Sequence, residues 1–227
     1  MCGRYFRTTP AAQLAKLLER LGLTGVSNDP GVSYNIAPSH PALAIVGEGV
    51  SARMTGMRWG WGRQTTGGPP KLIINARSEE LAGHSWTFGD AMRYARCLIP
   101  ANGYFEWKPQ PDGKQPWCFT TRSRQAFCFA GLWRSDTFVI LTADPRDDQT
   151  RIVHNRVPCI IRPEHYAPWI NPGFQSVEAA ALMPQAYSSD ELDLACWPVS
   201  RRVGDPGMDR PDLILPVEPE ETLFGRE

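Results

Sequence analysis

The pattern of hydrophobic and polar positions near the start of the chain follows the repeat of an amphipathic helix. Four leucines recur at intervals of three and four residues: Leu14, Leu17, Leu18 and Leu21. This spacing places them on one face of a helix. Thr9 and Pro10 are typical of an N-cap and a first helical position, and Gly22 is typical of a helix end. We therefore predict one helix packed on the core, followed by a loop that runs to Tyr34.

Most of the remaining chain consists of short apolar runs separated by turn signals, which is typical of β-strands. Strands are predicted over residues 42–46, 50–57, 72–74, 97–99, 103–107, 117–121, 127–133, 138–142 and 157–161, with a last strand around 198–200. Gly47-Glu48-Gly49 predicts a hairpin turn, and Asp112-Gly113 predicts another. Strands 97–99 and 103–107 are predicted to pair. Short helical segments are predicted over 86–94, near His165 and over 177–183.

Many strands with few, peripheral helices predict an α+β fold built on antiparallel sheet, with closure into a barrel as one arrangement of that sheet. No break in composition divides the chain, so we expect a single domain over residues 1–217. Residues 218–227 are acidic and lack periodicity, and we expect them to form a flexible tail.

Composition and charge limit the classes of partner. Lys+Arg and Asp+Glu both total 24, which excludes a strongly basic nucleic-acid-binding coat but not a local basic patch. The six cysteines are scattered without a C-x-x-C pair, which argues against a zinc site. Most of them adjoin apolar runs, as expected for reduced core residues of a cytosolic protein. We see no signal peptide and no apolar stretch of membrane-spanning length, and we expect a cytoplasmic protein without a bound metal.

Cys2 directly follows the initiator methionine, so removal of Met1 would leave a 1,2-aminothiol at the chain start. The amine of such a group condenses with an aldehyde to an imine, and the thiolate then closes on the imine carbon to form a thiazolidine. We expect the thiol to ionise readily beside a cation. The alternative is that Cys2 has no function, and the Met-Cys dipeptide by itself favours that alternative.

Three polar residues stand out because each lies in or beside an apolar strand. Glu106 lies between Phe105 and Trp107, where a desolvated carboxyl would act as a general acid or base. The pattern is equally compatible with a strand in which Phe105 and Trp107 point inward and Glu106 points to solvent. Asn75 ends an apolar strand and can orient a polar group of a substrate, although asparagine commonly ends strands. His154 precedes an apolar strand and can move a proton near neutral pH, or it can be an ordinary loop residue.

Arginines lie one or two residues from each of three candidates: Arg4 beside Cys2, Arg77 beside Asn75 and Arg156 beside His154. Recurring arginines of this kind predict an anion clamp whose natural ligand is phosphate.

Several motifs together resemble a known family, the SOS-response-associated peptidase or abasic-site-processing domain. The resemblance extends from Met1 to about Leu215. It rests on Met1-Cys2-Gly3-Arg4-Tyr5, Tyr34-Asn35-Ile36-Ala37-Pro38, Trp59-Gly60, Ile74-Asn75-Ala76-Arg77-Ser78-Glu79, Gly103-Tyr104-Phe105-Glu106-Trp107, His154-Asn155-Arg156-Val157-Pro158, and Pro198-Val199-Ser200 followed by Val203-Gly204. These motifs in this order are specific.

The resemblance implies an α+β domain with a curved, barrel-like antiparallel core. It also implies that mature Cys2 attacks the ring-opened aldehyde of an abasic site in single-stranded DNA and forms a reversible thiazolidine cross-link, which protects the lesion during the DNA damage response. Asn75 would hold the amine and the sugar, and Glu106 would relay protons in formation and reversal. His154 would help to open the sugar ring. The peptidase label would reflect self-processing that exposes Cys2.

The resemblance further implies that Arg4, Arg77 and Arg156 hold phosphates on either side of the lesion. We expect a monomer without a cofactor, associated with the nucleoid through DNA. Two alternatives remain open: an N-terminal-nucleophile amidohydrolase that uses the Cys2 thiol on an amide, and a non-catalytic module that binds single-stranded DNA.

Overall fold

The computed structural model of the chain describes residues 2–65, 68–81, 88–174 and 191–217. It confirms the predicted α+β class: one domain dominated by β-sheet with few helices. The strands are arranged in a ring, although they do not form a true barrel.

Two large sheets make up the domain. The first sheet is antiparallel, in the order β16-β11-β10-β1-β3. Its strands, numbered along the chain, are β1 (Arg4–Arg7), β3 (Ser33–Ile36), β10 (Gly103–Gln110), β11 (Gly113–Thr121) and β16 (Leu194–Pro198). The strands of the second sheet are β2 (Leu23–Ser27), β4 (Pro41–Glu48), β5 (Ser51–Trp59), β8 (Asn75–Arg77), β9 (Arg96–Ala101), β12 (Phe127–Arg134), β13 (Thr137–Ala143), β14 (Val157–Pro158) and β15 (Ile160–Ile161).

The second sheet returns on itself because β13 pairs with both β12 and β5. The β13–β5 pairing is parallel, with Phe138 opposite Trp59, and β8 also runs parallel to β13. The remaining pairs that involve β4, β9, β12, β14 and β15 are antiparallel. A separate two-stranded ribbon consists of β6 (Trp61–Thr65) and β7 (Gly68–Ile73).

Apolar side chains form three layers. The central layer lies between the sheets and includes Tyr5 and Tyr104 from the first sheet with Phe129 and Ile140 from the second. The other face of the second sheet is covered by helices. The outer face of the first sheet is covered by the C-terminal segment around Val203. Both faces of each sheet are therefore buried over much of their length.

Within the described residues the helices are short and peripheral. They are α1 (Ala11–Leu17), α2 (Ser78–Leu81), α3 (Gly89–Tyr94), α4 (Asp148–Arg151) and α5 (Tyr166–Ile170), with 3₁₀ turns at Glu19–Leu21, Pro163–His165, Arg201–Gly204 and Pro211–Ile214. The predicted first helix is confirmed, but its cap is Pro10 rather than Thr9. Leu17 is 60% exposed, since the buried face of α1 carries Ala11 and Leu14, and Leu17 lies off that face.

Both predicted turns exist with small shifts. Glu48 pairs with Ser51, so the β4–β5 turn is Gly49-Val50 rather than Gly47-Glu48-Gly49. Gln110 pairs with Gly113, so Asp112 lies in the β10–β11 turn and Gly113 begins the next strand. The strand predicted over 157–161 is divided into β14 and β15, which pair with β13 and β12 respectively.

One predicted strand pairing was wrong, and so was the predicted burial of one strand. β9 and β10 do not pair with each other: the chain passes from the second sheet to the first at Asn102, whose side-chain oxygen accepts the Thr8 and Thr9 amides. Gly103 follows, where a side chain would collide with the Phe6 ring. The strand predicted over 72–74 exists as the end of β7, which stops at Ile73, but it belongs to the two-stranded ribbon and is not fully buried, since Leu72 is 43% exposed.

The loop predicted between Gly22 and Tyr34 contains β2 and the start of β3. β2 is an edge strand with mostly exposed side chains, so no hydrophobic alternation marks it in the sequence. The predicted last strand lies slightly earlier than expected, at Leu194–Pro198. Residues 86–87 of one predicted helix, the helix predicted over 177–183 and the tail at 218–227 lie outside the described residues.

Candidate active site

Cys2 lies two residues before the start of β1 and is completely buried in the central layer with Tyr5 and Trp59. Its Sγ is 3.7 Å from the Arg4 carbonyl oxygen. Burial raises the pKa of the Cys2 thiol well above its usual range, and the negative charge of Glu106 raises it further. The readily ionised thiol expected from the sequence is therefore not present. In this structure Cys2 is a neutral thiol near pH 7.

Asn75 begins β8, and its position is set by parallel pairing opposite Ile140 of β13. The Trp59 indole N–H donates to the Ile74 carbonyl oxygen at 2.9 Å and fixes the chain just before Asn75. The Asn75 Nδ2 donates to the Cys2 carbonyl oxygen at 2.9 Å. Its Oδ1 is buried and has no hydrogen-bond partner among the described residues. Asn75 therefore holds the backbone of Cys2 and presents a spare acceptor beside it.

Glu106 projects from β10 into the central layer and is 2% exposed. The solvent-facing alternative is therefore excluded. Phe105, on the opposite face of the strand, packs under the C-terminal segment, so both faces of β10 are buried here. Burial raises the pKa of the Glu106 carboxyl to about 8, so the neutral acid is its main form at pH 7.

His154 lies between α4 and β14, with its Nε2 3.9 Å from Oε2 of Glu106. Its Nδ1 is 3.0 Å from the Arg156 amide nitrogen and 3.3 Å from the Arg156 carbonyl oxygen. An amide nitrogen can only donate, so the shorter contact favours Nδ1 as the acceptor and places the ring proton on Nε2. Burial lowers the pKa of His154, which favours the neutral ring. A neutral imidazole therefore faces a largely protonated carboxyl, and these two groups can exchange protons with a reactant near Cys2.

The three arginines predicted as a phosphate clamp occupy different environments. Arg4 is partly buried; its guanidinium donates to the Gly3 carbonyl at 2.9 Å and the Gly204 carbonyl at 3.0 Å. Arg77 is exposed, with its Nη1 3.5 Å from a carboxylate oxygen of Glu80. Arg156 is only 8% exposed and is already paired with two carboxylates. Arg4 and Arg77 therefore lie near solvent, whereas the charge of Arg156 is already paired within the protein.

The comparison with protein families agrees with the resemblance indicated by the sequence motifs that contain Cys2, Asn75, Glu106 and His154. The family model for the SOS response associated peptidase (SRAP) matches residues 1–206. The chain belongs to the SRAP family.

Two relatives of this SRAP chain illustrate the similarity. The Bacillus subtilis (strain 168) protein named abasic site processing protein YoqW is 30% identical over 230 residues, covering 94% of this chain and 99% of the relative. The protein named abasic site processing protein YoaM, from the same organism, is 31% identical over 196 residues, covering 80% of this chain and 84% of the relative. A solved protein structure from Bacteroides thetaiotaomicron superposes with a TM-score of 0.73 at 18% identity, covering 96% of this chain and 100% of the other, and shows the same fold.

Reasoning from the sequence missed Glu79 and Asp144, the partners of Arg156 in this SRAP domain. Glu79 was visible as the last residue of the Asn75–Glu79 motif, but nothing in the pattern indicated which cation it would meet. Asn35 was also missed: its buried Nδ2 contacts three carbonyl oxygens of the C-terminal segment, at Val203, Asp205 and Met208.

Three further observations concern metal binding, membranes and disulfide bonds. Across the described parts of the SRAP chain, no group of three or more His, Cys, Asp or Glu side chains is arranged to hold a metal ion. Within the same residues, no helix is long and apolar enough to cross a membrane. All six cysteines are free thiols.

Proposed function

We propose that this SRAP protein captures abasic sites in single-stranded DNA through a covalent bond to Cys2, after Met1 has been removed. The relatives named abasic site processing proteins support the substrate class. The observation that carries the proposal is the Asn75 amide bound to the Cys2 carbonyl, next to the Glu106–His154 pair. Three residues distant in sequence, Asn75, Glu106 and His154, are thereby grouped near the position of a terminal aminothiol.

The proposed reaction balances without a cofactor. The α-amine of Cys2 adds to the C1′ aldehyde of the opened sugar, and loss of one water gives an imine. The Cys2 sulfur then adds to the imine carbon, and the thiol proton moves to the nitrogen to give the thiazolidine. The raised pKa of the Cys2 thiol fits this order, because the amine acts first and the thiol needs to lose its proton only as the ring closes.

His154 and Glu106 supply the proton transfers. Opening the closed sugar moves a proton between its hydroxyl and ring oxygen, and neutral His154 with Nε2–H can take part in this exchange. Glu106 has a pKa of about 8, so it can both donate and accept protons at neutral pH. We assign it to imine formation, ring closure and reversal. The free Oδ1 of Asn75 would accept from the amine or from a sugar hydroxyl.

Phosphate contacts are assigned to Arg4 and Arg77, which lie near solvent and are each two residues along the chain from Cys2 and Asn75 respectively. Arg156 would have to give up a carboxylate to bind phosphate, so it is not included in the clamp. We further propose that Met1 is released by self-processing with Cys2 as the nucleophile, and that the cross-link shields the lesion during the DNA damage response.

The test is incubation with a single-stranded oligonucleotide that contains one abasic site, followed by a denaturing gel. Wild type should form a stable adduct, whereas Cys2→Ala should form none because no thiol remains to close the ring. Cys196→Ala, which removes a half-buried thiol elsewhere, is the matched control and should behave as wild type. An adduct in Cys2→Ala contradicts the proposal. Binding without any adduct in wild type would instead support the non-catalytic alternative.

A further inference from the structure

Arg156 forms a dense set of contacts for a single side chain. Its Nη1 and Nη2 donate to the two oxygens of Glu79 at 2.8 and 3.0 Å, which is a bidentate pair. Nη1 also donates to Asp144 at 2.7 Å, and Nη2 donates to the Thr142 carbonyl oxygen at 2.5 Å. The Nε is buried and has no partner among the described residues. A guanidinium has five N–H donors, so four are occupied and the fifth is shielded from solvent.

These contacts join separate parts of the candidate active site. Glu79 lies on α2, which directly follows β8 with Asn75 and Arg77. Thr142 is the residue of β13 that pairs with Arg77. Arg156 itself is two residues from His154, and its amide nitrogen contacts the His154 ring at 3.0 Å. The Glu79–Arg156 bridge therefore connects the segment that carries Asn75 to the segment that carries His154.

We propose that Glu79 is a positioning residue: through Arg156 it holds Asn75 and His154 in a fixed relation around Cys2. The proposal rests on the function proposed above, because it assigns Glu79 to the same site. A single turn of helix has little intrinsic stability, so the position of α2 depends on its contacts. The ion pair is bidentate, and its Arg156 side is buried although Glu79 is half exposed. Two parallel hydrogen bonds fix the relative orientation of the two side chains, and small displacements of reacting groups reduce rates strongly.

Removal of Glu79 separates this role from phosphate binding by Arg156, because the two roles predict opposite results. If Glu79 positions the site, Glu79→Ala lowers the rate of cross-linking at saturating DNA by about tenfold or more, while DNA affinity changes by less than about threefold. If Arg156 is instead a phosphate ligand and Glu79 competes with phosphate for it, the same variant binds DNA more tightly. In that case the slope of log affinity against log salt becomes steeper by about 0.7, and the cross-linking rate does not fall.

The experiment compares wild type, Glu79→Ala and Glu48→Ala in three measurements. Glu48 is a matched control, since it is a similarly exposed carboxylate paired with Arg53 on the distant β4–β5 hairpin. The measurements are single-turnover cross-linking, binding of an undamaged single strand over a range of salt, and the ¹⁵N signals of the His154 ring. In wild type those signals should report a proton on Nε2. In Glu79→Ala they should move toward a mixture of tautomers, and in the control they should not change.

Unchanged ring signals and an unchanged cross-linking rate in Glu79→Ala would overturn the proposal, as would tighter DNA binding with a steeper slope. If wild type forms no cross-link but the ring signals still respond to Glu79→Ala, the positioning role stands and the proposed function fails. If Glu79→Ala does not fold, Glu79→Gln keeps one acceptor for Arg156 and should show smaller changes in the same direction. If Glu79→Gln behaves as wild type in these measurements, the proposal is overturned as well.

Discussion

Glu106 should lower the stability of the folded protein at neutral and alkaline pH, and Glu106→Gln should relieve that cost. The side chain is 2% exposed, and burial raises the pKa of its carboxyl from 4.5 to about 8. Between these two values the folded state holds a proton that the unfolded state has released. Stability therefore decreases as the pH rises from about 4.5 to about 8, and it changes little beyond.

The size of the effect follows from the two pKa values. At about 1.4 kcal/mol per pKa unit, the difference between 4.5 and about 8 corresponds to roughly 5 kcal/mol as an upper limit. A neutral glutamine of nearly the same shape carries no charge to desolvate. We therefore expect Glu106→Gln to be more stable than wild type by about 2–5 kcal/mol at pH 8.5, and by less than about 1 kcal/mol at pH 5.

Urea denaturation of both proteins at pH 5, 6.5 and 8.5 measures this difference in the free energy of unfolding. Glu164→Gln serves as the control, since it replaces an exposed carboxylate and should change stability by no more than about 0.5 kcal/mol at any of these pH values. A Glu106→Gln variant that is no more stable than wild type at pH 8.5 would refute the reasoning. It would mean that Glu106 is well stabilised as an anion in the folded protein.

The remaining predictions concern DNA binding, kinetics and packing. If Arg4 and Arg77 each neutralise one phosphate, the slope of log affinity against log salt should be about −1.4. Replacing either arginine by glutamine should make the slope shallower, at about −0.7, and a flat salt titration of wild type contradicts this prediction. His154→Ala should slow cross-link formation in a time course yet leave the finished adduct stable, and rapid loss of the adduct would exclude a role limited to ring opening. Gly56→Ala should destabilise the fold by about 1–3 kcal/mol in urea, because its new Cβ meets a backbone carbonyl, whereas Gly25→Ala has open space and should not.

The sequence was most informative where a motif coincided with a buried strand. Asn75, Glu106 and His154 were singled out because each lies in or beside an apolar strand. In the structure Asn75 contacts Cys2, the charge of Glu106 acts on the Cys2 thiol, and His154 contacts Glu106. The strands from 117 to 142 and the two hairpin turns also follow from local alternation and turn chemistry. These features depend on nearest neighbours along the chain, which a single sequence records.

Contacts between distant segments could not be predicted. Whether Glu106 faces water depends on the second sheet, which packs against the face of β10 that carries Tyr104 and Glu106, while the C-terminal segment covers the opposite face. The separation of β9 from β10 depends on Asn102, whose side chain binds amides of the N-terminal segment. Arg156 was grouped with Arg4 and Arg77 because of its position in the sequence, but its environment is set by Glu79 and Asp144. Charge partners of this kind are determined by tertiary packing rather than by local pattern.

The central claim is that Cys2 closes a thiazolidine on the abasic sugar, and intact-mass spectrometry of the adduct tests it most directly. We predict a mass equal to the protein without Met1 plus the oligonucleotide minus one water, with no gain of hydrogen on borohydride treatment because a thiazolidine has no imine to reduce. An adduct that retains Met1, or one that gains hydrogen on reduction, would contradict the account. The first would place the bond elsewhere on the protein, and the second would show that the reaction stops at the imine.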